Sequence, residues 1–104
     1  MATLTCTPTS PHAVVDFCRI DVAGANQNDS GTYTTAAYPT MPELRYYLKF
    51  TESVEKGRSY VFGVDETGAH AFNNYVFPDA GTYVVTLNNA ETNAQVATLS
   101  VTVQ

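Results

Sequence analysis

Apolar and polar residues alternate along most of this 104-residue chain, with the two-residue period of β-strands that bury one face. The alternation is cleanest over Glu43 to Thr51 and over Gln95 to Val103. No segment keeps an apolar period of about 3.6 residues over three turns, so no helix is predicted. The predicted strands are 2–7, 13–23, 43–51, 58–64, 69–77, 82–87 and 95–103, with an eighth, short edge strand over 32–38.

A chain of this length is expected to form a single domain with one core. Antiparallel strands that each have one apolar face commonly bury those faces as two sheets packed about 10 Å apart. Thr, Val and Tyr, which favour strands, are abundant, and only 14% of the residues are charged. The sequence therefore predicts one all-β domain over 1–104, an antiparallel sandwich of seven or eight strands in two sheets.

The connection from Gly24 to Pro42 is the exception to this regular spacing. Unstructured loops of about twenty residues are uncommon in compact domains, so we expect either an edge strand or an exposed arm that contacts a partner. Tyr33, Tyr38 and Met41 lie within it, and aromatic and Met side chains are enriched at protein interfaces. These three residues are the predicted partner contacts.

Two pentapeptides share nearly the same letters, DSGTY at Asp29 to Tyr33 and DAGTY at Asp79 to Tyr83. After the second, Val85 and Leu87 continue the apolar face of its tyrosine. After the first comes TTAA, which offers no apolar alternation. We therefore interpret the second pentapeptide as the start of a core strand and the first as a turn that enters an edge strand.

The DAGTY stretch resembles the D-x-G-x-Y stretch of immunoglobulin-like (Ig-like) sandwiches. In that motif the glycine permits a tight turn, and the tyrosine hydroxyl bonds back to upstream backbone in a tyrosine corner. The resemblance implies that Asp79, Gly81, Tyr83 and Val85 are critical for the fold.

The likeness extends from Tyr60 to Gln104, which resembles the PKD-type Ig-like modules. Phe62 to Asp65 (FGVD), followed by Gly68, is similar to their aromatic W-D-F-G-D-G stretch, and Tyr75 to Tyr83 (YVFPDAGTY) is similar to their Y-x-F-P-x-x-G-x-Y run. The resemblance implies an Ig-like sandwich. Immunoglobulin domains have a cysteine two residues after the corner tyrosine, where this chain has Val85, so their inter-sheet disulfide is not expected.

Cys6 and Cys18 are too few for a disulfide scaffold or a zinc site. A turn centred near His12 would place the two thiols within bridging distance on neighbouring strands, whereas one centred near Ser10 would not. The other interpretation is two small buried thiols. The sequence leaves both open.

The charge distribution argues against two classes of partner. The net charge is −5, and all five basic residues precede position 59. Phosphate binding needs clustered Lys or Arg, so neither nucleic acid nor an anionic membrane surface is expected as a partner. The first residues show no signal-peptide pattern and no segment has about 20 consecutive apolar residues, so we expect synthesis in the cytoplasm.

The sequence offers little for catalysis or metal binding. It has no recognisable catalytic motif, and we expect His12 and His70 to face solvent. Asp65, Glu66 and His70 could converge with Asp79 on Ca²⁺, but their spacing fits no calcium-loop template. The prediction is therefore a protein that is not an enzyme and has no cofactor and no metal site.

The function implied by the resemblance is structural. Ig-like domains of this kind occur in the particles of tailed bacteriophages, whose proteins are made in the host cytoplasm. We therefore expect a capsid decoration (cement) protein on the capsid exterior of the virion, bound to the major capsid protein and able to assemble as a homotrimer.

Two alternatives remain open at this stage. One is a glycan- or cell-surface-binding module of a phage tail or a secreted protein, with Tyr47 or Tyr38 as the stacking platform. The other is a secreted adhesion module in which Asp65, Glu66 and Asp79 hold Ca²⁺.

Overall fold

The structure, a computed structural model, describes residues 2–9, 16–26, 28–31, 47–52 and 58–104. These residues form strands, turns and irregular segments, with no helix among them. The strands are β1 (Thr3–Thr7), β2 (Cys18–Ala23), β3 (Tyr47–Glu52), β4 (Ser59–Gly63), β5 (His70–Tyr75), β6 (Gly81–Asn89) and β7 (Gln95–Val103). Each falls within or close to a predicted strand, whereas the predicted edge strand at 32–38 lies outside the described residues.

The strands form two antiparallel sheets, one in the order β1-β2-β5 and the other in the order β4-β3-β6-β7. This confirms the prediction of an all-β, sandwich-like fold. Strands β1 and β7 lie against each other at one side of the molecule. On the other side β4 and β5 are the outermost described strands of their sheets.

The core lies between the inner faces of the two sheets and follows the alternation in the sequence. On β6, Tyr83, Val85 and Leu87 are all fully buried, while the intervening Val84 is 42% exposed. Ile20 on β2 is equally buried. Each such aliphatic side chain contributes about 1.5–3 kcal/mol by leaving water.

The second pentapeptide forms a closed corner at the start of β6. The Tyr83 hydroxyl donates a hydrogen bond to the Asp79 carbonyl at 2.7 Å and accepts one from the Asp79 backbone N–H at 2.9 Å. Between them Gly81 has a φ of 139°, a conformation that L side chains rarely adopt. The corner therefore depends on the glycine for its turn and on the tyrosine for its closure, while Val85 lies beside it in the core.

The first pentapeptide uses its glycine differently. A Cβ on Gly31 would lie 2.5 Å from both Asn89 Oδ1 and Glu91 Cβ, so only glycine can approach the turn between β6 and β7 this closely. The preceding Ser30 is buried, and its hydroxyl donates to the Asn26 carbonyl at 3.0 Å. Asp29, Ser30 and Gly31 thus belong to a compact turn packed onto one end of the sandwich.

Cys6 and Cys18 are neighbours on adjacent strands and are not bridged in this structure. Cys6 lies opposite Ile20, so Cys18 is its diagonal neighbour on the same buried face. Both are free thiols. Burial raises the pKa of the Cys18 thiol to about 12, and it also raises the pKa of Cys6. The pair consists of two protonated, buried thiols that donate to backbone carbonyls.

The corner can be tested by removing one oxygen atom. We expect Tyr83→Phe to lower the free energy of unfolding by about 0.5–1.5 kcal/mol, because the ring stays buried while its hydrogen bonds to Asp79 are lost. Urea denaturation gives the difference. Ser100→Ala, which removes an exposed hydroxyl from β7, is the control and should change stability by less than about 0.5 kcal/mol. Equal effects of the two substitutions would show that the hydrogen bonds of the Tyr83 hydroxyl do not contribute to stability.

Candidate functional site

A bulge in β5 creates the most distinctive local geometry of the molecule. Tyr75 pairs with Cys18 and Phe72 with Ile20, so Asn73 and Asn74 together face one residue of β2. Strict alternation would send Phe72 and Tyr75 to opposite faces. The extra residue changes the phase, so that both rings join one cluster and both asparagines are exposed.

Aromatic rings close the gap between β4 and β5. Phe62 and Phe72 meet edge to face at 5.2 Å, and Tyr60 lies 6.5 Å from Phe72 and 6.3 Å from Tyr75 between ring centroids. His70 stacks 4.7 Å from Phe62. These contacts join the two sheets at the side opposite to β1 and β7.

A polar cluster joins the same two sheets beside the rings. Glu52 Oε1 accepts hydrogen bonds from Arg58 Nε at 2.9 Å and from the Tyr75 hydroxyl, and Arg58 Nη2 lies 2.8 Å from the same oxygen as an ion pair. Arg58 Nη2 also donates to the Val76 carbonyl at 2.6 Å. Glu52 ends β3 and Arg58 directly precedes β4, both strands of the four-stranded sheet, whereas Tyr75 belongs to the other sheet, so we call this arrangement the inter-sheet clasp.

Glu52 is the one carboxylate of the clasp and lies in a dry environment. Its side chain is 0% exposed, and its strand position puts it on the same inward face as Leu48. Burial raises the pKa of the Glu52 carboxyl, and the neighbouring Arg58 opposes that rise. Its second oxygen, Oε2, is buried and has no hydrogen-bond partner among the described residues. The contacts that offset the free-energy cost of burying this carboxylate are therefore all made to one oxygen, Oε1.

An open pocket of about 420 Å³ lies against the clasp. The residues that line it are Arg58, Tyr60, Phe72, Asn73, Asn74, Tyr75 and Val76. The Arg58 guanidinium carbon lies 5.0 Å from the centroid of the Tyr75 ring and 5.9 Å from that of Tyr60. The pocket thus combines a fixed cation, aromatic surfaces and two exposed amides.

The predicted site residues lie elsewhere or outside the described residues. Tyr33, Tyr38 and Met41 are outside them, and of Tyr47 the structure describes the backbone alone. The predicted fold-critical residues around Tyr83 are at the core corner, away from the pocket lining.

Sequence reasoning missed Glu52, Arg58 and the two asparagines. One signal was present, since Glu52 occupies the next inward position of an alternating strand, where an apolar residue is expected. An Arg within a few residues of such a carboxylate, as here, is its natural partner. The bulge that exposes both asparagines has no comparable signal.

The acidic residues near His70 form a turn. Asp65 Oδ1 accepts hydrogen bonds from the Thr67 N–H, the Thr67 hydroxyl and the Ala69 N–H, and the Thr67 hydroxyl makes the largest contribution to lowering the pKa of Asp65. The described residues contain no group of three or more His, Cys, Asp or Glu that could hold a metal ion. Asp65 instead holds the turn that connects β4 to β5, which are strands of different sheets.

His70 differs from expectation. Sequence analysis predicted a solvent-facing side chain, but it is half-buried between the Phe62 and Phe72 rings. Burial lowers the pKa of His70, and the charge of Asp65 opposes that shift. The aromatic cluster thus favours the neutral imidazole. His12 lies outside the described residues.

Comparisons with known proteins identify no family, relative or similar structure from which a function could be inferred. No protein-family model, curated protein or solved structure matches it significantly. In the part of the chain that the structure describes, no helix is long and apolar enough to cross a membrane.

The clasp predicts that substituting Arg58 lowers the free energy of unfolding much more than substituting Arg19 does. We expect Arg58→Met to lower the free energy of unfolding by about 2–4 kcal/mol, because it leaves the buried Glu52 carboxylate without its cation. Arg19 forms an exposed pair with Asp21 at the same 2.8 Å, so the matched control Arg19→Met should cost less than about 1 kcal/mol.

The double variant Glu52→Gln/Arg58→Met separates an orphaned charge from lost packing. A neutral amide still accepts from Tyr75, so the double variant should be more stable than Arg58→Met by at least about 1 kcal/mol. Chemical denaturation of the four proteins measures these differences. A double variant no more stable than the single one would rule out the buried charge as the cause.

The environment of His70 predicts a pH dependence of stability. Its pKa in the folded protein lies below the ordinary value of 6.5, so the stability it contributes is present above pH 6.5 and is lost as the pH falls through the folded-state value. We expect His70→Phe to reduce the loss of melting temperature between pH 7.5 and pH 5.5. His12→Gln, at the other histidine, is the control. A slope that changes in the control and not in His70→Phe would contradict the assignment.

Proposed function

We propose that this chain is a non-enzymatic structural protein of a bacteriophage virion, a decoration protein that binds the major capsid protein on the outside of the shell. It is made in the host cytoplasm and acts on the assembled particle, alone or as a homotrimer. Its fold in this proposal is an Ig-like sandwich of the PKD type, supported by the strand order of the two sheets and by the Tyr83 corner.

The observation that carries the proposal is that the two residues flanking the segment between them, Gly31 and Tyr47, lie close together in the structure. Gly31 packs against Asn89 and Glu91. Strand β3 begins at Tyr47, and the next residue, Leu48, pairs with Asn89. Both ends of the segment are therefore held at the same end of a sandwich.

This arrangement suits a docking role. The predicted contacts Tyr33, Tyr38 and Met41 follow a turn whose backbone is fixed by Gly31, so the chain enters the contact segment from a rigid base. A rigid base reduces the entropy lost on binding. A domain that binds only the assembled shell stabilises it by mass action, by about 2.7 kcal/mol per site at a hundredfold excess over Kd.

Charge is compatible with the outside of a capsid. The chain has a net charge of −5, and its last 46 residues contain no Lys or Arg. Such a protein is repelled by the packaged genome, which is also negatively charged. The assembled shell offers many equivalent sites, and a homotrimer that contacts several of them at once gains avidity.

The test is co-sedimentation of the purified chain with phage capsids whose major capsid gene neighbours its own. We expect binding at a fixed ratio to capsid subunits and at least a tenfold loss in the triple variant Tyr33→Ala/Tyr38→Ala/Met41→Ala, since each truncated anchor costs about 1 kcal/mol or more. The pocket variant Asn73→Ala/Asn74→Ala is the control and should bind normally. Association with tails alone, or no association with particles, would overturn the proposal.

A further inference from the structure

We propose that the pocket beside the inter-sheet clasp is a binding site for a neutral saccharide. The structure places an aromatic wall, two amides and a fixed guanidinium around one space of about 420 Å³. That volume lies in the range of small-ligand sites and has room for about one or two sugar rings. None of the lining residues belongs to the segment proposed to dock on a capsid, so the site is a second, independent function.

The aromatic wall provides the apolar part of the recognition. Tyr60 is 37% exposed, and its ring is held in place by Phe72 and Tyr75. A sugar ring has one face made largely of C–H groups, which packs on an aromatic face of this kind. Since the ring is already ordered by its neighbours, little side-chain entropy is lost on binding.

The polar groups match hydroxyls. Asn73 and Asn74 each offer an amide donor and a carbonyl acceptor, and a sugar hydroxyl both donates and accepts. The bulge puts these two consecutive side chains at the same pocket, which a regular strand would not do. Arg58 contacts Glu52 and Val76 through Nε and Nη2, so within the described part of the chain its Nη1 has no acceptor.

Charge selects a neutral ligand over an ionic one. Arg58 is the charged residue of the described lining, and its charge is already matched by Glu52 at 2.8 Å. An anionic ligand would compete with Glu52 and meet a chain of net charge −5. A cationic ligand would meet the guanidinium. A polyhydroxylated, uncharged ligand incurs neither cost.

The experiment titrates the full-length chain with saccharides while amide chemical shifts are followed by NMR. The panel contains glucose, galactose, mannose and N-acetylglucosamine with their di- and trisaccharides, and two acidic sugars, glucuronic acid and N-acetylneuraminic acid. We expect a neutral member to shift the amides of β4 and β5 with a Kd between about 10 µM and 10 mM.

Two variants and one matched control assign the binding to this pocket. Asn73→Ala/Asn74→Ala alters exposed side chains, and we expect it to weaken binding at least tenfold while the melting temperature stays the same. Tyr60→Ala should also weaken binding. Asn28→Ala removes an exposed asparagine outside the pocket lining and should bind as the unmodified chain does.

Three results would overturn the proposal. These are no shift at the pocket with any neutral sugar, binding restricted to the acidic sugars, and full affinity in the double asparagine variant. None of them bears on capsid association, because that assay depends on Tyr33, Tyr38 and Met41. The two functions can therefore fail separately.

Discussion

A carboxylate buried between two sheets is stable only if its charge is compensated within the protein. Glu52 is such a group, and the residues that compensate it lie on the β4–β5 side of the sandwich. Removing such an ion from water costs several kcal/mol, and Arg58 and Tyr75 supply the compensating contacts. Arg58 must consequently hold one position, which also fixes its contact with the Val76 carbonyl. The pocket wall is a by-product of this constraint, since a guanidinium that is needed for the carboxylate also lines the pocket.

The two sides of the sandwich are closed by different means. On one side β1 and β7 contact each other directly, whereas on the other the outermost strands β4 and β5 are joined by aromatic rings and by the clasp. Hydrogen bonds to Glu52 require a defined donor–acceptor geometry, whereas aliphatic contacts have no such directional requirement. The β4–β5 side therefore fixes how the sheets are aligned, and the Tyr83 corner fixes where β6 begins.

Strands with a regular two-residue alternation of apolar and polar residues could be predicted from the sequence. The bulge, which inserts one extra residue into β5, could not. Alternation alone places β6 and β7, because Tyr83, Val85 and Val101 must all leave water. The bulge at Asn73 and Asn74 depends on pairing with a distant strand, which no local pattern encodes. The expectation that His70 faces solvent failed for a similar reason, since its burial comes from rings brought together by the fold.

The two pentapeptides show why a motif has to be interpreted with its surroundings. Gly81 serves through its backbone angle and Gly31 through the absence of a side chain, although the letters around them agree. Through that close approach Gly31 packs against the turn between β6 and β7, at the end of the sandwich where β3 begins. Glu52 lies at the other end of β3, five residues on, which is roughly 17 Å at strand spacing. The two ends of the proposed docking segment and the proposed ligand pocket thus lie toward opposite ends of β3, so the two proposals depend on different residues.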